Sequence, residues 1–351
     1  MRLAINLALS FAMLALCAWL VWPDAATRAQ LAPVFEHLDL RAMAPELAIY
    51  VALLVVMQLV RSLRWNSLLA PLGVRVPAGP LLAISAVGFM AIIALPARLG
   101  ELVRPGLLRR RGVSGSAALG TVAVERIVDG LLVSLFVFGA CVALRGPASP
   151  RWMMPTAYAA LGLFAAALAF LLSARKWPDA TVRWSLRLSL LPKLAPRLAD
   201  AIAHKLHEMI RGFASLADRK HLPVFVAWSA IYWTANGVGV WVLAHAFGLA
   251  LSPVGAFAVA GLIAVGIALP NSPAMFGQFQ WFMLLGLTLY LGPDANTAHT
   301  ALYATTFAFA NTHYALQLGW YLLCGAIGLA TPWVSIAEVR AAQKTGDDAA
   351  A

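Results

Sequence analysis

From Leu222 to Ala337 the chain contains a single acidic or basic residue, Asp294, histidines aside. A soluble domain carries about 25% charged residues, because its surface must meet water. A stretch this long without them has no such surface to offer. The chain as a whole has the same bias: of its 351 residues, 62% are hydrophobic and 12% charged. These facts exclude a soluble globular fold and predict an all-α polytopic membrane protein, in which each crossing takes about 20 apolar residues.

Apolar segments fall near 3–22, 46–69, 78–95, 115–145, 152–173, 222–249, 253–270, 276–292 and 297–330. The first follows Arg2 and is longer than the apolar core of a secretory signal, with no small-x-small cleavage site after it, so it is expected to stay as a span. Cys17, Cys141 and Cys324 are scattered through apolar segments without metal-like spacing and read as packing residues. The net charge of +11 is dispersed at segment edges. It fits the positive-inside rule and attraction to anionic headgroups, and no nucleic-acid partner is expected.

The polar insert 174–221 holds ten Lys/Arg, from Arg175 to Lys220, against four Asp/Glu, which predicts a cytoplasmic location. Within it Leu198, Ile202, Leu206, Met209, Phe213 and Leu216 recur at helical spacing. The pattern fits an amphipathic helix lying on the inner leaflet, or one packed on the cytoplasmic end of the bundle.

"IALP" occurs twice, at 93–96 and 267–270, each time followed by further proline and glycine. Proline lacks a backbone donor and breaks a helix. If 78–108 and 253–292 are re-entrant hairpins entering from opposite sides, about six full spans remain and both termini lie inside. The count is then twenty Lys/Arg inside and four outside (Arg28, Arg41, Arg145, Arg151), with Arg98 and Arg126 at membrane depth. Such halves, about 46–173 and 222–330, are inverted copies within one domain spanning 1–330, followed by a short tail, 331–351. Broken helices of inverted repeats are a common transporter architecture. The alternative is eight to nine full spans; with nine, the N-terminus is outside and Arg2, Arg61, Arg64 and Arg75 fall on the wrong side.

Three clusters carry charge into these segments. In "RSLRWNSLLAPLG", Arg61 and Arg64 share a helical face with Trp65 beside them. They read either as an interfacial anchor or as a guanidinium clamp for phosphate. In "LPARLGELVRPGLLRRRG", Pro96 and Gly100 interrupt the helix while Arg98, Glu101 and Arg104 follow at intervals of three. This is a membrane-edge turn or a broken-helix site facing a polar headgroup. In "TVAVERIVDGLL", Glu125, Arg126 and Asp129 lie about ten residues into an apolar segment, near mid-membrane depth at about 1.5 Å per residue. Each charge there costs a few kcal/mol unless paired, so Arg126 is expected to meet Asp129, and Glu125 a cation such as Arg98. The second break is polar but neutral: Pro270, Asn271, Ser272, Pro273, Gly277, Gln278 and Gln280, with Asn311, His313 and Gln317 further on.

The run from "RSLRWNSLL" through "LPARLGELVRPGLLRRRGVSGSAALGTVAVERIVDG" resembles the membrane region of lysylphosphatidylglycerol synthases, a family with stand-alone flippase-like members and hopanoid-cluster membrane proteins. "ALPNSPAMFGQFQWFMLLGLTLYLG" is similar to the second signature of that family. Ala274 stands where glycine commonly follows the second proline, and Gln280 stands near a frequently acidic position. The resemblance covers about 46–330. It implies movement of a polar lipid or lipid-linked intermediate between leaflets of a bacterial inner membrane. It carries over Arg61, Arg64, Pro96, Arg98, Gly100, Glu101, Arg104, Glu125, Arg126, Asp129, Pro270, Pro273 and Gly277 as substrate-binding positions; Asn271 and His313 join them from their placement. About twenty residues follow Pro332, too few for a fold, so lysyl transfer is not expected of this chain.

No phosphate-binding glycine loop is present and no cofactor is expected. Two further readings compete with the flippase: a membrane enzyme using Glu125, Asp129 and His313 on headgroups, and an accessory subunit for enzymes of lipid synthesis. The hairpin topology makes a direct prediction: reporters at the N-terminus, near Gly112 and near Ser185 all read cytoplasmic. A periplasmic N-terminus refutes it.

Overall fold

The computed structural model describes Ala15 and residues 25–36, 39–94, 100–143, 153–189, 196–268, 272–297, 300–339 and 341–342. Among these residues the fold is helical throughout, with no strand. Helix α1 is Ala25–Glu36; α2, Ala44–Leu63, continues past Arg64 into the short α3, Trp65–Leu69, and a turn at Ala70–Leu72. Next come α4 (Ala78–Ala94), α5 (Gly100–Leu108), α6 (Gly115–Ala143) and α7 (Met153–Lys176). The insert forms α8 (Pro178–Ser189) and α9 (Pro196–Arg211). The second half is α10 (His221–Ala246), α11 (Pro253–Ala268), α12 (Gln278–Leu291) and α13 (Ala301–Ala330). The expected first span, 3–22, lies outside the described residues apart from Ala15.

Three helices combine the length and apolarity of a full crossing: Ala44–Leu72, Gly115–Ala143 and Met154–Lys176. Helices α10 and α13 have the length, 26 and 30 residues, with Trp, Thr, Asn and Gln diluting their apolar composition. Helices α4, α5, α11 and α12 have 17, 9, 16 and 14 residues, each short of the roughly 20 a crossing needs.

These short helices pair. Gly100 of α5 lies against the backbone of Ala91, and Gly88 of α4 against the stem of Arg104, so α4 and α5 run antiparallel. Gly255 faces Tyr290, Gly266 faces Phe282 and Gly286 faces Val259, which makes α11 and α12 a second antiparallel hairpin. The Gln278 amide closes it by donating to the Gly266 carbonyl at 2.7 Å. Small residues permit such close approach where lipid supplies no hydrophobic drive.

The helix pairings exchange when the halves are exchanged: α2 packs on α10, α4 packs on α13, and α6 packs on α11. Gly239 against Tyr50 and Ser229 against Arg64 make α2 and α10 antiparallel. One buried core gathers Trp65, Leu81, Val103, Val124 and Phe225; another gathers Tyr50, Leu243, Val259, Met283 and Phe309.

Helix α9 takes the second of its two expected positions. Leu206, Met209, Ile210, Phe213 and Leu216 pack into the first core, and Gly120 of α6 meets Gly212 and the Met209 carbonyl backbone to backbone. The apolar stripe of α9 is therefore spent on the bundle, not on the leaflet. Glu208 joins the two helices further, accepting from Ser114 at 2.8 Å.

The Gly100 contact sets a test. A methyl group there collides with the Ala91 backbone, whereas one at Gly139 meets nothing within 4 Å. Gly100→Ala is expected to lower unfolding stability by about 1–3 kcal/mol and Gly139→Ala to leave it unchanged, as thermal unfolding in detergent will read.

Candidate functional site

The site grows from the end of α2. Arg64 sits at the junction of α2 and α3, fully buried, and Trp65 beside it is equally buried. Neither is the interfacial anchor that the sequence allowed. Arg64 donates to both oxygens of Asp129, at 2.7 and 2.6 Å, to Oε1 of Glu125 at 3.0 Å and to Ser229 Oγ at 2.7 Å. A planar guanidinium suits this forked geometry. Glu125 and Asp129 are four apart on α6 and face the same side; both are buried.

Arg104 reaches the same Glu125 from α5, at 3.3 and 3.4 Å, and is also buried. Its guanidinium lies 4.2 Å from the centroid of the Trp65 ring and 4.6 Å from that of Phe89. Among the described residues its Nε and second terminal nitrogen have no hydrogen-bond partner. The Trp65 indole is fixed in turn by a 3.0 Å hydrogen bond to Thr121.

Arg61, one turn before Arg64, takes another course. Its guanidinium stacks 3.5 Å from the Phe89 ring centroid and donates to the Tyr321 hydroxyl at 3.3 Å. No carboxylate of the described residues pairs with it, and its Nε has no partner there. The centre thus assembles three arginines, Arg61, Arg64 and Arg104, around two carboxylates, Glu125 and Asp129, from α2 and its end, α5 and α6, while α10 and α13 add the Ser229 and Tyr321 hydroxyls.

The expected Arg126–Asp129 pair does not form. Asp129 is spent on Arg64, while Arg126 turns outward, its side chain 43% exposed, toward Glu101 at 3.5 Å. The reason is competition: Asp129 accepts from Arg64 at 2.7 and 2.6 Å on the side that it shares with Glu125, which leaves Arg126 to the neighbouring side of α6. Glu125 finds its cations in Arg64 and Arg104; Arg98 and Pro96 lie outside the described residues. Ser229, Thr121, Phe89 and Tyr321 were not singled out from the sequence, since a neutral residue in an apolar run gives no sign of the charge that it will meet.

The second break shows why glycine suits its pattern. Ala274 and Met275 adopt left-handed backbone, φ 55° and 61°, a conformation that costs a side chain about 1–2 kcal/mol. The Tyr314 hydroxyl holds the segment by donating to the Ala274 carbonyl at 3.0 Å. Gly277, at φ 78°, starts α12, and its N–H donates to the Gln280 side chain at 2.8 Å. The same Gln280 donates to Asn311 at 3.3 Å, which an ionised acid at this position does not do. Pro270 and Asn271 fall outside the described residues; Pro273 begins the turn Pro273–Met275. His313 is buried in the other core against Tyr50, Phe279 and Phe309, with Gln317 at 3.1 Å. It does not join the arginine–carboxylate centre.

The family model of the lysylphosphatidylglycerol synthase TM region matches residues 4–316. The chain belongs to that family. No curated protein and no solved structure matches it. Membership of the lysylphosphatidylglycerol synthase TM-region family makes it a membrane protein of lipid metabolism or transport, and the charged centre lies within the matched region. Among the described residues no three of His, Cys, Asp and Glu converge as a metal group.

The pairing predicts a stability pattern. Arg64→Met leaves Asp129 buried without its cation, a loss of about 3–5 kcal/mol. Adding Asp129→Asn is expected to recover most of it. Additive losses in a double-mutant unfolding cycle contradict the pairing.

Proposed function

We propose that this protein moves a lipid with a phosphate-bearing, polar headgroup between the leaflets of a bacterial inner membrane, as a transporter with no nucleotide-hydrolysing activity of its own. The observation that carries this reading is the charge count at the buried centre, where three arginines share two carboxylates and Arg61 pairs with neither. An unbalanced buried cation is costly, and a phosphate passing through relieves the imbalance. Arg61 and the unpartnered nitrogens of Arg104 present forked donors to such a group. Arg64, by contrast, has both terminal nitrogens taken up by Glu125, Asp129 and Ser229 and acts as the post that holds the helices around the centre.

The same reading treats the hairpins α4–α5 and α11–α12 as re-entrant elements entering from opposite sides, with both termini cytoplasmic. Their short helices and the antiparallel α2–α10 pair support this arrangement. Irregular backbone at membrane depth is tolerated where it is buried in protein or lines a cavity, and this reading expects such a cavity beside the left-handed turn at Ala274 and Met275. Alternating access then consists of each hairpin yielding in turn while the Arg64 centre stays fixed.

The test is a leaflet-specific assay in proteoliposomes, using headgroup-labelled phosphatidylglycerol and a membrane-impermeant quencher. Arg61→Gln removes the unbalanced cation without orphaning a carboxylate. It is expected to keep the unfolding temperature while slowing lipid movement roughly tenfold or more, the loss of one charge-assisted hydrogen bond. A variant that folds and moves lipid at the native rate overturns the proposal.

A further inference from the structure

We propose that the elbow between α7 and α8 is a second lipid site, which holds an anionic phospholipid at the cytoplasmic membrane surface, away from the central arginines. Four exposed side chains recur at intervals of seven: Leu163, Phe170, Trp177 and Trp184, with 66%, 50%, 54% and 60% of their surface open. That interval keeps Leu163 and Phe170 on one side of α7, and past the elbow Trp177 and Trp184 line the same groove as Phe170. Leu163 and Phe170 belong to α7, one of the helices apolar enough to cross, so this side is its lipid-facing stripe. The stripe does not stop where the span does; it runs on through Trp177 into α8.

There it meets charge. A groove of about 500 Å³ is lined by Phe170, Trp177, Thr181, Arg183, Trp184 and Arg187. Arg183 and Arg187, one turn apart, border it on α8. The only acid of α8, Asp179, is engaged by His207 of α9 at 3.0 Å, and this contact holds the His207 imidazole above its usual pKa. The contact also ties α8 to α9, which is itself clamped on α6. Lys176 adds a further cation, 4.6 Å from the Trp177 ring.

Apolar wall, tryptophan rim and paired guanidinium groups come in the order of a lipid itself: acyl chain, glycerol level, phosphate. Tryptophan settles at that level of a bilayer, and basic side chains beside it attract anionic headgroups. The acyl chains lie along Phe170 and Leu163, and the phosphate rests between Arg183 and Arg187. The membrane-surface role, one of the two that the stripe of α9 allowed, falls to α8.

Native mass spectrometry of the full chain in detergent, titrated with phosphatidylglycerol or phosphatidylcholine, tests this. The wild type is expected to retain phosphatidylglycerol preferentially. Arg183→Gln with Arg187→Gln should weaken that binding roughly tenfold or more, the effect of two basic residues at an anionic surface. Arg109→Gln with Arg111→Gln should leave it unchanged. The further loss caused by the α8 double change should be the same in the Arg61→Gln background, whatever that background itself loses, so either proposal can fail alone. Equal retention of both lipids, undiminished binding by the α8 double variant, or full displacement by inorganic phosphate overturns the inference.

Discussion

One ion pair organises the interior. Arg64 cannot sit in an apolar bundle unless its charge and its terminal donors are answered, and the answer comes from Glu125 and Asp129 of α6 and Ser229 of α10. The requirement fixes the end of α2 against the middle of α6 and the start of α10. Arg64 keeps helical backbone, its N–H donating to the Val60 carbonyl at 3.0 Å, so the charge is met without breaking the run from α2 into α3. Burying such a group is expensive, so its return lies in specificity of arrangement more than in net stability.

Around that post the hairpins are held by a different physics. Gly100 against Ala91, Gly266 against Phe282 and Gly286 against Val259 are contacts of shape, with no charge involved. They bring backbones close where dispersion must replace the hydrophobic effect. The left-handed Ala274 and Met275 keep strain at the second break, in a segment tied by Tyr314, Ser272 and Gln280. The charged centre and the second hairpin are thus held by different means, whereas the first hairpin takes part in both, since Arg104 of α5 pairs with Glu125.

The two halves divide the chemistry unequally. The first supplies the charge of the centre, half-buried Arg61 and buried Arg64, Arg104, Glu125 and Asp129, whereas the second answers with hydroxyls and rings, among them Ser229, Tyr232 and Tyr321. The helix pairings nevertheless exchange between halves, so backbone symmetry outlives the loss of side-chain symmetry.

The sequence alone determined the helical membrane class, the places where helices break, and the residues whose charge had to be answered inside the bilayer. Those follow from local quantities: apolar length, proline and glycine, and the cost of an isolated charge. It also pointed to the family through motifs that lie in a single stretch of chain. Partnership was decided only by the tertiary structure. Arg61 and Arg64 look equivalent in "RSLR", yet one is held by two carboxylates and the other is left on a phenylalanine ring. Arg126 and Asp129 look paired in "VERIVD", yet they part because Arg64, 65 residues from Asp129 in the sequence, brings a better-placed guanidinium. The stripe of α9 suits the leaflet and the bundle equally until α6 is there to cover it. A pattern along one helix shows which side is apolar or charged, but what covers that side depends on contacts between segments far apart in the chain.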